Sequence, residues 1–180
     1  MGRHKTVDRE RVLDVAEEIV AKRGAAALTI DGVAKAAGIS KGGVQSTFGT
    51  KEALVAAMLA RWTKSYEEAY ARRVGPDPSP VERVRAHADV THRDTDAAQE
   101  RVAGLLSILL QSPDHLEPTR RWYANRFQGL GEGTDFRLRL AFLATEGAFL
   151  LRYLNLLPLD RDLWDRVFAD ISRLLADESV

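Results

Sequence analysis

The sequence predicts an all-α protein of about nine helices. Apolar residues recur at spacings of three and four along most of the 180 residues, which is the period of a helix with one buried face. Alternating or β-branched runs of the kind that form strands are nearly absent. Capping residues and glycine or proline stops divide the chain into segments of helical length.

The N-terminal part of the chain predicts four helices, each opened by a residue that can cap it. A Ser, Thr or Asp oxygen can accept hydrogen bonds from the free amides of a first turn. The predicted caps are Asp8, Thr29, Ser40 and Thr50. The corresponding ends are Gly24, Gly38, about Thr47 and Val74. The last end is set by three prolines within residues 75–80, which cannot continue a helix.

The remainder of the chain predicts five further helices with apolar stripes. They cover residues 81–93, 97–111, 115–128, 135–157 and 160–176. The fourth of these, FRLRLAFLATEGAFLLRYLNLL, is apolar almost all round, so it requires burial on more than one side. The expected architecture is therefore a module of three short helices, joined by a long helix to a larger helical body.

Charge is distributed unevenly although the net charge is zero. Residues 1–64 contain eleven Lys and Arg against seven Asp and Glu, whereas the rest contains fifteen against nineteen. A basic first part favours a polyanionic partner for that part. The absence of cysteine excludes disulfides and thiolate metal sites. The chain has no signal-peptide pattern and no run of ~18 apolar residues, so a cytoplasmic protein without a membrane span is expected.

The second and third predicted helices have the spacing of a helix-turn-helix. Ala34 is small where the two helices must approach, and Gly38 can take the left-handed backbone that the turn requires. The residues expected to fill the space between the helices are Val33, Ala37, Ile39, Val44 and Phe48. A unit of this kind presents its second helix to the major groove of DNA.

A nucleotide-binding loop is the alternative interpretation of the glycines in this segment. A P-loop requires Gly, four residues and then Gly-Lys-Ser/Thr, after a buried strand. Here the order is Lys41-Gly42-Gly43, and the preceding segment is predicted to be helical. No Ser, His and carboxylate spacing indicates a nucleophile with its base either, so an enzyme is disfavoured.

Residues 9–54 resemble the DNA-binding domain of the TetR family of transcriptional regulators. The resemblance is carried by the first amphipathic helix ending in Gly24, by LTIDGVAKAAGISKGGV, and by Phe48 followed by TKEAL. The rest of the chain resembles the family in length, in helix count and in the apolar character of its last two helices. The resemblance implies a DNA-binding domain at residues 1–50 and a ligand-sensing and dimerisation domain at residues 51–180. It also implies a homodimer that binds double-stranded operator DNA and is released by a small-molecule inducer, with no cofactor.

The recognition helix and its flanks supply the candidate DNA contacts. They are Thr29, Lys41, Gly42, Gly43, Gln45, Ser46, Thr47 and Lys51. The first turn of the helix, with Lys41 and the glycines, suits a phosphate. Gln45 can pair bidentately with adenine, and Lys51 resembles the phosphate-contacting lysine of the family. The alternatives are that Thr29 only caps its helix and that Lys51 is an ordinary solvated side chain.

Two positions depart from the family pattern. Many members have tyrosine where this chain has Gln45, and histidine or tyrosine where it has Thr47. The operator preference of this protein is therefore expected to depend on these two residues. Residues 2–5, Gly-Arg-His-Lys, are either an arm that reaches DNA or a solubilising tail.

Aromatic and polar residues on the central helices are candidates for a pocket that takes a largely apolar or aromatic inducer. They are Trp62, Tyr66, His87, Thr91, Trp122, Tyr123, Phe127, Phe142, Glu146 and Phe149. For each aromatic residue the alternative is packing in the core. Glu146 lies in an apolar stretch, so it requires a partner, such as Arg139 or a cationic ligand. A metal site is not expected, because His87 and His92 would lie about 140° apart around a helix.

The last two helices are predicted to form a four-helix bundle with their copies in a dimer. The residues assigned to this interface are Ala141, Ala144, Ala148, Trp164, Phe168, Ile171 and Leu175. The alternative is that both helices only line the core of one protomer. For the whole protein, the alternative to a ligand-released repressor is a DNA-binding dimer without a small-molecule effector, controlled by a protein partner or by its abundance.

Overall fold

The computed structural model describes residues 8–93, 96–110, 113–131 and 133–176, and of residues 96–100 it describes only the backbone. The basic segment at residues 2–5 lies outside the described residues. In the described part of the chain every regular element is helical, so the predicted all-α class is confirmed. A short 3₁₀ turn at Ala25–Ala27 accompanies nine α-helices in these ranges. The helices are α1 Arg9–Arg23, α2 Ile30–Ala37, α3 Lys41–Phe48, α4 Lys51–Ala71, α5 Pro80–His92, α6 Asp96–Leu109, α7 Pro113–Phe127, α8 Phe136–Tyr153 and α9 Arg161–Ala176.

The helix starts follow from local capping, as predicted. Asp8 accepts hydrogen bonds from the amides of Glu10 and Arg11, and the amide of Ala53 donates to the hydroxyl oxygen of Thr50 at 3.1 Å. Ser79, which was not among the predicted caps, begins α5 with a reciprocal capping box. These contacts satisfy amides that have no partner inside their own helix.

Two helix ends lie three or four residues before the predicted ones. The structure ends α4 at Ala71, three residues before the end that the prolines predict, and α8 at Tyr153, although the apolar pattern continues to residue 157. After α8, Asn155 takes a left-handed backbone with φ 54°. The carbonyl of Leu151 then accepts hydrogen bonds from the amides of residues 156 and 157. This turn satisfies a carbonyl group that has no partner at the end of α8, so the leucines that follow lie outside the helix.

The chain divides into two compact units. The first unit falls within Met1–Thr63 and Ala97–Leu116, so it combines α1 to α3, the start of α4 and α6. Its core side chains come from all these helices. Gly104 on α6 lies so close to α1 that a Cβ there would be 2.7 Å from a methyl carbon of Val20. The units are defined by packing, and the functional boundary at residue 50 stays a prediction.

The second unit falls within Lys64–Asp96 and Glu117–Val180, and α5, α8 and α9 pack against one another in it. Trp164 on α9 is fully buried, and its indole N–H donates to the carbonyl of His92 at 3.0 Å. This bond connects α9 to the end of α5. Within the described residues, no helix has the length and apolar character that crossing a membrane requires.

Candidate DNA-binding surface and ligand site

Helices α2 and α3 are joined by the tight turn that the sequence predicts. Gly38 takes a left-handed backbone with φ 67°, and its amide donates to the carbonyl of Lys35. The next amide, that of Ile39, donates to the carbonyl of Ala34 at 3.0 Å. Val33 and Val44, one on each helix, are both fully buried in the first unit. The turn and the apolar contact fix the direction of α3.

One side of α3 is free of core contacts. Val44 and Phe48 point into the core, whereas the other side chains of the helix are exposed or half-buried. The predicted DNA contacts that are exposed are Lys41, Gly42, Gln45 and Ser46, and those that are half-buried are Gly43 and Thr47. Four predicted residues are therefore exposed on the outward surface of α3, and Gly43 and Thr47 lie at the border of its buried side.

The side chains on this surface differ in how far they are already hydrogen-bonded. The hydroxyls of Ser46 and Thr47 both donate to the carbonyl of Gly43, at 2.9 Å each. Gln45 makes no side-chain hydrogen bond with the described part of the chain, and its amide can both donate and accept. Gln45 therefore has an amide whose donor and acceptor groups are both available for a base edge.

Thr29 and Lys51 flank α3 in the sequence. The amide of Gly32 donates to the Thr29 hydroxyl oxygen at 3.0 Å, so the capping alternative is realised. That bond uses a lone pair, and the hydroxyl proton of Thr29 can still be donated to a phosphate. Lys51 is exposed at the first position of α4.

Arg9 is a basic residue beside α3 that the sequence analysis does not identify. Its guanidinium lies over the ring of Phe48, 4.6 Å from the ring centroid. The contact joins the start of α1 to the end of α3. No local sequence pattern reveals it, because the two residues lie far apart in the chain.

The interior of the second unit contains a polar network around His87, a side chain that is only 2 % exposed. Nδ1 of His87 is hydrogen-bonded with the Tyr66 hydroxyl. Nε2 lies 2.8 Å from Oε1 of Glu146. The Tyr123 hydroxyl donates to Oε2 of the same carboxylate at 2.5 Å. Tyr66, His87, Tyr123 and Glu146, predicted separately, are therefore brought together.

Aromatic rings surround this network. Phe142 stacks on the His87 ring at 4.7 Å, and Phe127 meets Phe142 edge-on at 5.5 Å. Trp122 lies 5.2 Å from Tyr66. Thr91 is placed one turn from His87 and donates its hydroxyl to the His87 carbonyl at 3.0 Å. The cluster thus contains eight of the ten predicted ligand residues.

The two phenols of the network are held in their neutral form. Burial raises the pKa of Tyr66 far above its usual value, and the negative charges of Glu146 and Glu67 add to this effect. Burial also raises the pKa of Tyr123, together with the Glu146 carboxylate that its hydroxyl contacts. Both phenols therefore remain hydrogen-bond donors throughout the ordinary pH range.

Three residues lie elsewhere than the sequence suggests. Trp62 packs against the core of the first unit, and the Phe149 ring packs on Tyr153 at 4.7 Å. Arg139, expected as a partner of Glu146, donates instead to three carbonyl oxygens between residues 130 and 134. The expectation about Arg139 was wrong because the loop before α8 folds back over its guanidinium.

A second group of polar residues lies next to the network and includes residues that the sequence analysis missed. Arg126 on α7 pairs with Glu67 on α4 at 2.5 Å. The Trp122 indole N–H donates to the other oxygen of Glu67 at 2.5 Å. These three residues and Asn125 line a cavity of about 360 Å³. The only signal in the sequence was the helical spacing of four between Trp122 and Arg126.

The residues predicted for the dimer interface are mostly interior. Ala144 is exposed, and the other six of the seven are buried within the second unit. Different residues of α8 expose large apolar side chains, namely Phe136, Leu140, Leu143, Leu150 and Leu151. We call this set the exposed α8 face. Its spacings of three, four and seven place it along one side of the helix.

Sequence models of known families match most of the chain. A model described as bacterial regulatory proteins, tetR family, matches residues 12–58. A model described as Tetracyclin repressor-like, C-terminal domain, matches residues 81–176. Among curated proteins the chain finds no match.

Solved structures share the fold. A transcriptional regulator from Rhodococcus sp. Rha1 superposes with a TM-score of 0.69 at 18% identity, over 94% of this chain and 97% of that chain. A TetR transcription regulator from Haloarcula marismortui gives 0.70 at 18% identity, over 93% and 96%. The multidrug binding protein EbrR complexed with malachite green gives 0.68 at 21% identity, over 92% and 96%.

Proposed function

Because the chain belongs to the TetR family of bacterial regulatory proteins, we propose that it is a ligand-responsive repressor that binds a palindromic operator as a homodimer. It is a transcriptional regulator and not an enzyme. The repressor role, the dimeric operator complex and the inducer are the proposal. The main support for the DNA-binding function is the outward surface of α3. It combines an accessible helix start with a glutamine whose amide is available for hydrogen bonds to a base.

The outward surface of α3 suits a major groove in its chemistry. Lys41 is exposed at the first position of α3, where free amides and the helix dipole favour a phosphate. Gly42 adds no side chain between the backbone and a ligand. Gln45, one turn further along, can make two hydrogen bonds to adenine. Phosphate contacts would thus set the position of the helix, and Gln45 would discriminate between bases.

A dimer is supported by the exposed α8 face. Large leucines at heptad-like spacing on a helix surface are typical of a face that pairs with another helix. A second copy of the chain is the occupant we propose, because such a stripe can be complementary to itself across a two-fold axis. Two copies would present two α3 helices to half-sites of an inverted repeat, spaced by about 34–36 Å or more.

Ligand control is supported by the cavity beside Glu67 and Trp122 and by the network behind it. The EbrR protein, whose fold this chain shares, has been solved with malachite green and with ethidium. The pocket of about 360 Å³ is open to solvent and includes one of the predicted aromatic residues, Trp122, so it offers a ligand an entrance beside the network. A regulator without a small-molecule effector, the alternative, would need no such space. We propose that a ligand in the second unit stabilises a dimer with a lower operator affinity. A coupling of ~1–3 kcal/mol is enough for such a switch.

The decisive experiment is the selection of duplexes from a random DNA pool by the full chain. We expect enrichment of an inverted repeat whose half-sites are separated by about one helical turn or more. No enrichment over the starting pool would reject the DNA-binding function. Enrichment of a single unrepeated site would reject the dimer. With the selected duplex available, compounds that bind the protein are tested for a change in its affinity, and the ligand-responsive part fails if none changes it.

A further inference from the structure

Three aromatic rings surround the guanidinium of Arg126 in the second unit. Its central carbon lies 3.5 Å from the centroid of Tyr70, 5.3 Å from that of Trp122 and 5.5 Å from that of Tyr66. The Trp122 ring stands nearly perpendicular to that of Tyr66, at 80°. All three distances lie within the ~6 Å over which a ring attracts a cation. We call these three rings the aromatic cage.

A carboxylate completes the cage. Glu67 accepts a hydrogen bond from Arg126 on Oε2 and one from the Trp122 indole on Oε1, each at 2.5 Å. The indole therefore holds the carboxylate in the orientation in which it faces the cation. Rings and a fixed negative charge around one point are the features by which proteins recognise organic cations. Here the position of the cation is occupied by a side chain of the same protein.

The surroundings allow this guanidinium to leave. The side chain of Arg126 is 13% exposed, and Glu67 is 44% exposed, so the cage opens towards solvent. The cavity of about 360 Å³ adjoins both side chains. An arginine that rotates into this space can pair with water, because its charged end has only a short distance to move.

Helix α7, which carries Arg126, is held by half-buried side chains. None of the residues Pro113–Phe127 is fully buried. Pro118 lies inside the helix and lacks the N–H that would bind the carbonyl one turn earlier. A helix with few buried contacts opens at a low free-energy cost. The pairing of Arg126 with Glu67 is one of several contacts of α7, beside the Tyr123–Glu146 hydrogen bond, and its loss leaves the cage without an occupant.

We propose that the aromatic cage is a binding site for an organic cation, and that Arg126 occupies it as an internal ligand which an external cation displaces. The class of ligand is a quaternary ammonium or a substituted guanidinium, because the site offers ring faces and one carboxylate. That displacement of Arg126 changes operator binding rests on the proposed function, whereas binding of the cation to the cage does not.

The test is calorimetric titration of the full chain with choline, which carries a trimethylammonium group. Its neutral isostere 3,3-dimethylbutan-1-ol, in which carbon replaces nitrogen, is titrated in parallel. Removing the internal ligand with Arg126→Ala is expected to tighten choline binding by about tenfold or more relative to the natural chain. The alcohol is expected to show no such gain, because it lacks the charge that the rings and Glu67 attract.

Two variants serve as matched controls. Arg121→Ala removes an exposed arginine of the same helix and is expected to leave choline binding unchanged. Adding Glu67→Gln to Arg126→Ala is expected to remove the gain. Equal gains for choline and the alcohol, or no gain for choline in the folded Arg126→Ala chain, would overturn the proposal.

Folding of the variant is followed by circular dichroism. If Arg126→Ala does not fold alone, it is refolded with choline or with the alcohol, and Arg126→Gln is treated in the same way. Recovery with choline only supports the cage, and failure of choline to restore either variant rejects it.

None of these titrations contains DNA. A negative result therefore rejects the cation site while the duplex selection still tests the proposed function, and a failed selection leaves the titrations valid.

Discussion

At Gly42, a larger side chain is expected to stabilise the fold and to weaken the proposed DNA contact. A Cβ added at this position would meet no atom within 4 Å, so alanine fits the isolated protein. Alanine also favours the helical backbone, and Gly42→Ala is expected to raise the free energy of unfolding by about 0.5–1 kcal/mol. The same methyl would stand between the start of α3 and the DNA.

We therefore expect Gly42→Ala to be more stable and to bind the selected duplex more weakly. Urea denaturation measures the first effect, and fluorescence anisotropy of a labelled duplex measures the second. A variant that gains stability and keeps its full DNA affinity would show that the backbone of α3 does not approach the groove at this position.

Gln45 and Lys51 are expected to act differently on DNA. Gln45→Ala should lower the affinity for the selected site by about 1–3 kcal/mol and relax the preference at one base pair in each half-site. Lys51→Ala should weaken all duplexes alike and reduce the salt dependence of binding by about one ion per protomer. Lys64→Ala is the matched control on the same helix, with its side chain 77% exposed. If Lys51→Ala behaves like this control, Lys51 is an ordinary surface lysine.

At the scale of the elements, Arg61 joins α4 to α1. Its guanidinium pairs with Glu17 through two nitrogens, at 2.7 and 3.1 Å, and with Asp14 at 2.8 Å. Partial burial works against the charge, yet the hydrogen bonds and ion pairs with Glu17 and Asp14 outweigh it and raise the pKa of Arg61. The Glu17 side chain is only 9% exposed, so it depends on this partner.

Arg61→Met is expected to lower the free energy of unfolding by about 2 kcal/mol, because it leaves the Glu17 carboxylate without its charged partner. This is less than the ~3–5 kcal/mol of a fully buried pair, since Arg61 is 24% exposed. Glu10 is an exposed partner of the same guanidinium, at 3.2 Å. Glu10→Gln should therefore change stability by less than about 0.5 kcal/mol. Denaturation curves of the two variants make the comparison. Equal, small effects would mean that Arg61 does not hold the two helices together.

Helix starts were more predictable than helix ends, because the two depend on different information. Capping by Asp8 or Ser40 is a contact between near neighbours, which the sequence shows directly. The end of α8 depends on the left-handed backbone at Asn155, in a stretch whose apolar pattern continues. Pairs such as His87 with Glu146, or Arg126 with Tyr70, join residues of different helices, and no local spacing reveals them. The sequence therefore identified most members of the polar cluster and not their partners.

At the scale of the whole molecule, we propose that the exposed α8 face determines whether two DNA-binding surfaces act together. The dimer contact was predicted at small, aromatic and aliphatic residues of α8 and α9, and most of these fill the second unit instead. It could not separate them from Leu140 and Leu143, since both sets have helical spacing on a helix that is apolar almost all round. Burial distinguishes them, because Leu140 is 50% and Leu143 56% exposed.

Leu143→Glu tests this face directly. A carboxylate in the middle of a self-pairing apolar surface would meet its own copy across the two-fold axis, so we expect dimer affinity to fall by about a hundredfold or more. The chain should remain folded, because the side chain points away from the core. Light scattering during gel filtration measures the mass, and operator binding should weaken in parallel, since a monomer reads one half-site. Leu110→Glu is the matched control, because this leucine is 62% exposed and lies outside α8. If Leu143→Glu remains dimeric at the concentrations at which the natural chain dimerises, the two copies meet through another surface.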